Sequence, residues 1–403
     1  MPLLFFILAA FFSSFAGADP LHSSVRIVRF GFYSVTILYF YYLARQFGIE
    51  RFLLATVAGQ SFAALHTVFE AAFPQYVPSI LIGKVSESGQ LALSVVVSIG
   101  LTIFCTQRLE EDEPQKASSS SNFSEGLLLL WGSANFLICN LLVFDRYFRL
   151  PALLPSLLTI LLACSFAIAL KRISSKELVR NYASLRAALM TLATPLLLAA
   201  LVANLKRGPW LGLSIGCLIL FLSFRRRYVL PVLAVALSMI LLINPIRDRI
   251  AASLDHFFIS GGRALIWDIG IELMENYPLG VGYENSPILR DYSDSIPRSL
   301  THFHNNFINV LVETGWIAFF IFIWWLVALI RMAFSSKPIL KYRIINVTIG
   351  CALISWQMAG LVEYNFGDSE VFLLSFILIG CLAANCDRSD DLTKSRQLAA
   401  EST

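Results

Sequence analysis

Residues 302–330 read HFHNNFINVLVETGWIAFFIFIWWLVALI, and the way this stretch runs from a polar loop through Gly315 into an apolar segment decides the fold. Beyond the glycine, from Trp316 to Ile330, every residue is apolar. A window from 314 to 334 is long enough to cross about 30 Å of hydrocarbon as a helix. After His304, Phe307, Ile308, Leu311, Val312 and Gly315 follow helical spacing, while Asn306, Asn309 and Glu313 fall on another face. The reading is a short helix with one polar stripe that runs straight into a membrane span. His302 and His304 then stand where the hydrophobic segment meets water. Neutral imidazole exchanges protons near pH 7, so His304 is a candidate catalytic base. Asn305 can cap the helix, and the positive end of the helix dipole would keep His304 neutral.

Outward from this stretch the same apolar texture covers the chain. Its 403 residues are 57% apolar and 14% charged, whereas a soluble domain carries about a quarter charged residues. Apolar windows fall near 3 to 18, 27 to 47, 52 to 70, 91 to 106, 126 to 144, 150 to 170, 185 to 203, 209 to 224, 228 to 243, 314 to 334, 344 to 361 and 370 to 386. They lack period-2 alternation, and backbone groups in lipid must be satisfied within each segment, so helices follow rather than a β-barrel. The expected fold is an all-α integral membrane protein of about twelve transmembrane helices with one long loop. Residues 1–243 form the main transmembrane bundle, 244–313 the loop with amphipathic helices, 314–386 the C-terminal spans and 387–403 a polar tail expected to be disordered. The seven cysteines include no CxxC pair, which implies neither a disulfide framework nor a zinc site. Ala16-Gly17-Ala18 resembles a cleavage site, but no basic residue precedes the first apolar run, which favours a retained first helix.

With the N-terminus inside, the inner loops hold Arg45 and Arg51, Lys171 to Arg186, Arg225 to Arg227, and Arg331 to Arg343, and the short outer loops hold few cations. This bias places the segment from Asn244 to Phe303 outside the cytoplasm. Glu110 to Ala117, followed by Ser118 to Ser121, reads as a solvated linker.

Two basic sites share the outer side with the histidines. Lys206 and Arg207 occupy a tight turn before Gly208-Pro209-Trp210, against the usual bias, and Arg263 opens an amphipathic helix one turn before Trp267. A guanidinium holds paired phosphate oxygens bidentately, which suits a lipid diphosphate. The plainer alternative is that Arg207 and Arg263 snorkel to lipid phosphates or pair with Asp268 and Glu272. Pro278-Leu-Gly280-Val-Gly282 is a turn through which backbone can approach a ligand, or a simple helix stop. Glu363 and Asp368 in the last outer loop read first as solvated charge, and otherwise as carboxylates that orient a sugar or the histidine. His302 and His304 have two further readings, as interfacial residues bonded to loop backbone or as a His-x-His metal pair; no cysteine or suitably spaced carboxylate accompanies them.

The Lys206-to-Trp210 turn, Arg263 with Trp267, the Pro278-to-Gly282 segment, and His304-Asn305 followed by Gly315 together resemble the O-antigen ligase and polymerase superfamily. The resemblance is specific from about Asn204 to Ala318, and Ala318 stands where the ligase pattern has Gly, Thr or Tyr. It implies a GT-C-like, metal-independent, inverting glycosyltransferase of the bacterial inner membrane, acting in lipopolysaccharide biosynthesis at the periplasmic face without a cofactor. The implied donor is an undecaprenyl-diphosphate-linked glycan, and the acceptor lipid A-core or another glycan; membrane lipid is the only other partner, and nucleic acid is not one. His304 then corresponds to the signature histidine, Arg207 and Arg263 to the outer arginines, with Lys206 beside them on the diphosphate. His302, Asn305, Glu313, Glu363 and Asp368 are supporting candidates. A polymerase is the alternative within the family. A polysaccharide transporter or flippase fits less well, because the spans contain few ionisable residues beyond His66 and Glu70.

Overall fold

The computed structural model describes residues 2–77, 88–112, 120–144, 153–173, 182–230, 232–234, 237, 244–252, 255–259, 262–335 and 339–401. The elements are α1 (Pro2–Ser14), α2 (Pro20–Phe47), α3 (Ile49–Ala72), α4 (Ser88–Asp112), α5 (Ser120–Val143), α6 (Leu153–Ile173), α7 (Tyr182–Ala203), α8 (Arg207–Phe224), α9 (Asn244–Ala251), α10 (Asp255–Phe258), α11 (Arg263–Asn276), α12 (Asn306–Phe334), α13 (Leu340–Ala359) and α14 (Ser369–Glu401). No strand occurs among the described residues. Among the described residues, eight helices are long and apolar enough to cross a membrane, and Pro2–Ser14 and Leu154–Ile168 are shorter apolar helices. The chain is thus an all-α, multi-pass membrane protein. The apolar window near 228 to 243 lies largely outside the described residues.

The most enclosed of these helices is α4. Leu91, Ala92, Leu93, Val95, Val96 and Val97 are all buried, and so are Ser94 and Ser98, whose hydroxyls are satisfied by the Gln90 carbonyl and the Thr194 hydroxyl. Next to it, α8 and α13 pack backbone to backbone. Gly208, Gly212 and Gly216 recur every fourth residue on one face of α8, and a Cβ added at Gly212 would stand 2.1 Å from the Ser355 carbonyl. Small residues at this spacing let membrane helices approach closely. The approach sets the turn before α8 against the loop after α13, because Gly208 lies beside Ala359 and Glu363.

α1 is built into the core. Phe6 is fully buried against Phe322 of α12 and Phe30 of α2, and Phe366 extends the cluster to Trp356, whose ring stacks on it at 5.8 Å. α7 carries one π turn, Leu189–Ala193, just before Pro195. Proline has no N–H to give the Thr191 carbonyl one turn earlier. The Asn135 side-chain amide of α5 donates to that carbonyl instead, at 2.6 Å. The seven cysteines are free thiols.

The bundle has two unlike ends. At one, Arg45 of α2 meets Asp391 of α14 at 2.8 Å, and Arg225 meets Glu110 at 3.0 Å. The tail expected to be disordered is helical there, since α14 continues to Glu401 and its acidic residues pair with α2. The opposite end gathers residues 13–26, 204–207, 262–306 and 360–368. The Ala18 N–H donates to the Val281 carbonyl at 2.9 Å, and Arg26 pairs with Glu284 at 3.3 Å.

Candidate functional site

Gly315, expected to continue the helical spacing, is instead a kink inside α12: its φ of 71° and ψ of 176° interrupt the helix. A residue with a side chain rarely adopts that backbone, and a Cβ there would stand 2.4 Å from the Leu279 carbonyl carbon. The break frees the carbonyls of Val312 and Glu313 from the helical ladder. The N–H groups of Val281 and Gly282 take them up, each at 2.9 Å. Gly280, at φ 98°, brings this segment in so closely that a Cβ would meet the Glu313 carbonyl at 2.5 Å. The Pro278-to-Gly282 segment is therefore a clasp on the kink, with its conformation serving α12.

Upstream of the kink, the polar stripe points inward. Asn306 and Asn309 are fully buried and Glu313 is 1% exposed. Asn305 caps α12: its side-chain oxygen accepts from the N–H groups of Phe307 and Ile308 at 2.8 and 3.1 Å, and its amide donates to the Leu361 carbonyl at 2.8 Å. Asn306 ties the same helix end to the last loop. Its side-chain oxygen accepts from the N–H groups of Asn365 and Phe366 at 2.9 and 3.0 Å, its amide donates to Asn365 Oδ1 at 2.8 Å, and its own N–H donates to the Gly360 carbonyl.

This cap sets the two histidines side by side. Their rings meet edge to face at 4.6 Å, and His302 faces the Tyr364 ring at 5.2 Å. His304 itself has φ 52°. Burial holds His302 down at about 4, with the His304 ring, Lys206 and Arg263 adding to the effect. Burial, and then Arg263, hold His304 at about 4 as well. Both are neutral at pH 7, which agrees with the expectation for His304, but the leading causes are burial and a nearby arginine rather than the helix dipole. The same apolar surroundings push the Tyr364 and Tyr283 phenols well above their ordinary value.

The cations arrive from two directions. Arg263 is the first residue of α11, and its charge is felt by both rings. Lys206 is the N-cap of α8; its charge reaches His302, and its ammonium lies 3.7 Å from Glu363. Glu363 is therefore a counter-ion to the turn and not a solvated loop charge. Arg207 opens α8 one residue further on. Asp368 lies at the start of α14, where its carbonyl accepts the N–H groups of Val371 and Phe372. The Glu313 carboxylate sits below the histidine loop, facing Ser286, Asn309 and the Glu284 backbone. Among the described residues, no three His, Cys, Asp or Glu gather as a metal site.

Three participants are not evident from the sequence. Tyr364 is one of two aromatics in the last loop, with Phe366, and nothing in its spacing connects it to His302. Ser286 and Arg290 reach the histidine loop across more than nine residues of irregular chain, a distance at which no periodicity survives.

The arrangement joins a neutral imidazole pair, cations on two converging elements and an aromatic wall at one end of a membrane bundle. It can take a proton from a hydroxyl beside an anionic group held by cations. No curated protein matches the chain. Residues 192–323, which hold both cationic elements, the clasp, the histidine loop and the kink, match the family model described as O-antigen ligase, and over this stretch the chain is similar to the O-antigen ligase and polymerase superfamily.

Proposed function

We propose that the protein is a glycosyltransferase of O-antigen ligase type, moving a glycan from an undecaprenyl-diphosphate carrier to lipid A-core or another glycan at the periplasmic face of the bacterial inner membrane. The observation that carries the reading is the convergence of His304, His302, Arg263 and Lys206 at one end of the bundle. In this reaction the acceptor hydroxyl attacks the anomeric carbon, the carbon–oxygen bond to the diphosphate breaks, and its electron pair leaves with the diphosphate. His304 takes the hydroxyl proton, while Arg263, Arg207 and Lys206 hold the diphosphate oxygens. The leaving group carries negative charge well, so modest base catalysis suffices.

Electrostatics couple the two roles. Arg263 lowers the proton affinity of His304 in the empty site. A bound diphosphate compensates that charge and makes His304 a stronger base once the donor is present. Metal-independent, inverting transfer is part of the same reading. A polymerase that extends the lipid-linked glycan would use the same chemistry on a different acceptor.

The test is transfer by the purified protein from an undecaprenyl-diphosphate-linked glycan to lipid A-core. Turnover with release of undecaprenyl diphosphate is expected, and absence of turnover with either acceptor class overturns the reading. In a deletion strain, loss of all capped lipopolysaccharide with lipid-linked polymer accumulating identifies the ligase, whereas single-repeat caps identify the polymerase. For sidedness, Ser295→Cys is expected to react with an impermeant thiol reagent added outside the inner membrane, and Ser335→Cys to remain unlabelled. The opposite pattern would put the site in the cytoplasm.

A further inference from the structure

The loop that carries His304 is gripped through its main chain. The Arg290 guanidinium donates to the Leu300 carbonyl, the Ser286 hydroxyl donates to the Thr301 carbonyl at 2.8 Å, and the Trp267 indole N–H donates to the Phe303 carbonyl at 2.9 Å. The Phe303 N–H in turn donates to the Asn309 side-chain oxygen at 3.2 Å. These four side chains come from three elements: α11, the turn Ser286–Asp291 and α12. They act on a segment of four residues in which Phe303 is fully buried.

The segment leads directly into the left-handed backbone of His304. A non-glycine residue enters that region rarely, and it stays there only where its surroundings over-determine it. On the far side the chain is fixed again by the Asn305 cap and its bond to Leu361. A loop needed only to connect two helices could leave its carbonyls to solvent. Here three carbonyls and one N–H before the histidine are instead engaged by side chains drawn from separate elements, two of them fully or nearly buried: Ser286 at 2% exposure and Asn309 at 0%.

We infer that Trp267, Ser286, Arg290 and Asn309 are positioning residues for His304, holding the main chain of residues 300–303 so that the ring stays beside His302 and Arg263 instead of turning out to water. The inference rests on His304 being the base of the proposed reaction. It also gives the buried Glu313 a place: its carboxylate backs Ser286 and Asn309, the two members of the grip nearest α12. The charged and titratable groups around the histidines are Arg263 from α11, Lys206 from the turn before α8, Tyr364 from the last loop and the two rings themselves.

The experiment uses the full-length protein, an undecaprenyl-diphosphate-linked glycan and lipid A-core, with kcat and donor KM measured across pH. Trp267→Phe removes the indole donor and keeps an apolar ring; Ser286→Ala removes the hydroxyl and Ser286→Thr keeps it. Trp267→Phe and Ser286→Ala are expected to lower kcat about tenfold or more with donor KM nearly unchanged, because small misplacements of a reacting group are costly. Ser286→Thr is expected to retain most of the rate. The base works when neutral, so activity falls as pH drops through its pKa. In the wild type the acid limb of kcat/KM is expected near 4, and in the two donor-less variants it moves up toward the ordinary imidazole value of 6.5, as the freed ring leaves its buried place by Arg263.

An unmoved acid limb, or equal losses in Ser286→Ala and Ser286→Thr, would reduce the four residues to ordinary loop packing. Should Trp267→Phe fail to insert, the Ser286 pair alone decides. Full activity of His304→Ala would remove the base itself, whereas an inactive His304→Ala beside normal kcat in the donor-less variants would remove only the positioning role.

Discussion

The two ends of the bundle use polar side chains in opposite ways. At the end away from the histidines, charge meets charge near water: Arg45 with Asp387 and Asp391, and Arg225 with Glu110, in pairs with side chains 18–61% exposed. At the histidine end, beside the pairs Arg26–Glu284 and Lys206–Glu363, neutral side chains take hold of main chain in buried places. Asn305, Asn306 and Asn309 alone engage the backbone at Phe303, Phe307, Ile308, Leu361, Asn365 and Phe366. Exposed ion pairs tolerate small movements and contribute little to stability. Buried amide-to-backbone bonds have defined directions and are expensive to leave unmade. One end is thus pinned loosely, and the other is built to hold a particular loop in a particular shape.

Substitutions should expose that contrast, and the largest effect belongs to the ring the shape serves. His304→Ala is expected to lower transfer by about 10²- to 10⁴-fold, with binding of the lipid-linked donor retained in a pull-down with the purified protein. His302→Ala should cost less in the same assay. The pH profile sharpens the point. The acid limb of kcat/KM, which reports the free enzyme, is expected near 4. That of kcat, which reports the donor-loaded site, should lie higher because the diphosphate offsets Arg263. Coincident limbs in the two profiles would remove the proposed coupling.

Next comes the clasp on the last loop. Asn306→Ala strands two buried N–H groups, those of Asn365 and Phe366, and is expected to cost about 2–4 kcal/mol of stability, read as a lowered unfolding midpoint in detergent. A midpoint equal to the wild type would mean that the contrast between the ends is not energetic. Smaller again is the effect of Arg207→Lys and Arg263→Lys, each expected to lose at least about tenfold in rate while inserting normally, since lysine keeps the charge and loses the planar fork. The smallest effect is at the far end. Asp391→Asn breaks an exposed pair and should shift stability by no more than about 1 kcal/mol with transfer unchanged.

The sequence discloses these two ends unequally. Helices and their apolar faces are local properties, and periodicity over Phe307, Ile308, Leu311, Val312 and Gly315 suffices to find them; the kink is not, because the same spacing carries Gly315 on as one more position of a continuous helix. The polar stripe of Asn306, Asn309 and Glu313 is equally legible as a face, but its inward direction is not, because that depends on the loop between Asn285 and Phe303 folding back over it. The clasp between Val281–Gly282 and Val312–Glu313 joins residues more than thirty positions apart and satisfies carbonyls that exist as orphans only once the kink has formed. Polar residues near the ends of α2 and α14 show the reverse error: a charged tail reads as solvated chain until the pairing of Asp387 and Asp391 with Arg45 gives it a surface to lie on.

The bonds of Asn306 carry a consequence for how the protein is made. Its side chain is satisfied by Asn365 and Phe366 and its N–H by Gly360, all of which leave the ribosome more than fifty residues after it. The segment that closes against Leu279 and Val281 includes Ser13 and Ala18, more than 260 residues before them. The end of the bundle that holds the histidine loop is therefore joined from chain made long before the loop and chain made well after it. Until α13 has inserted and the turn after it has emerged, the loop lacks the bonds from Gly360, Leu361, Asn365 and Phe366 that seat it, and an incomplete chain in the membrane cannot hold it in shape.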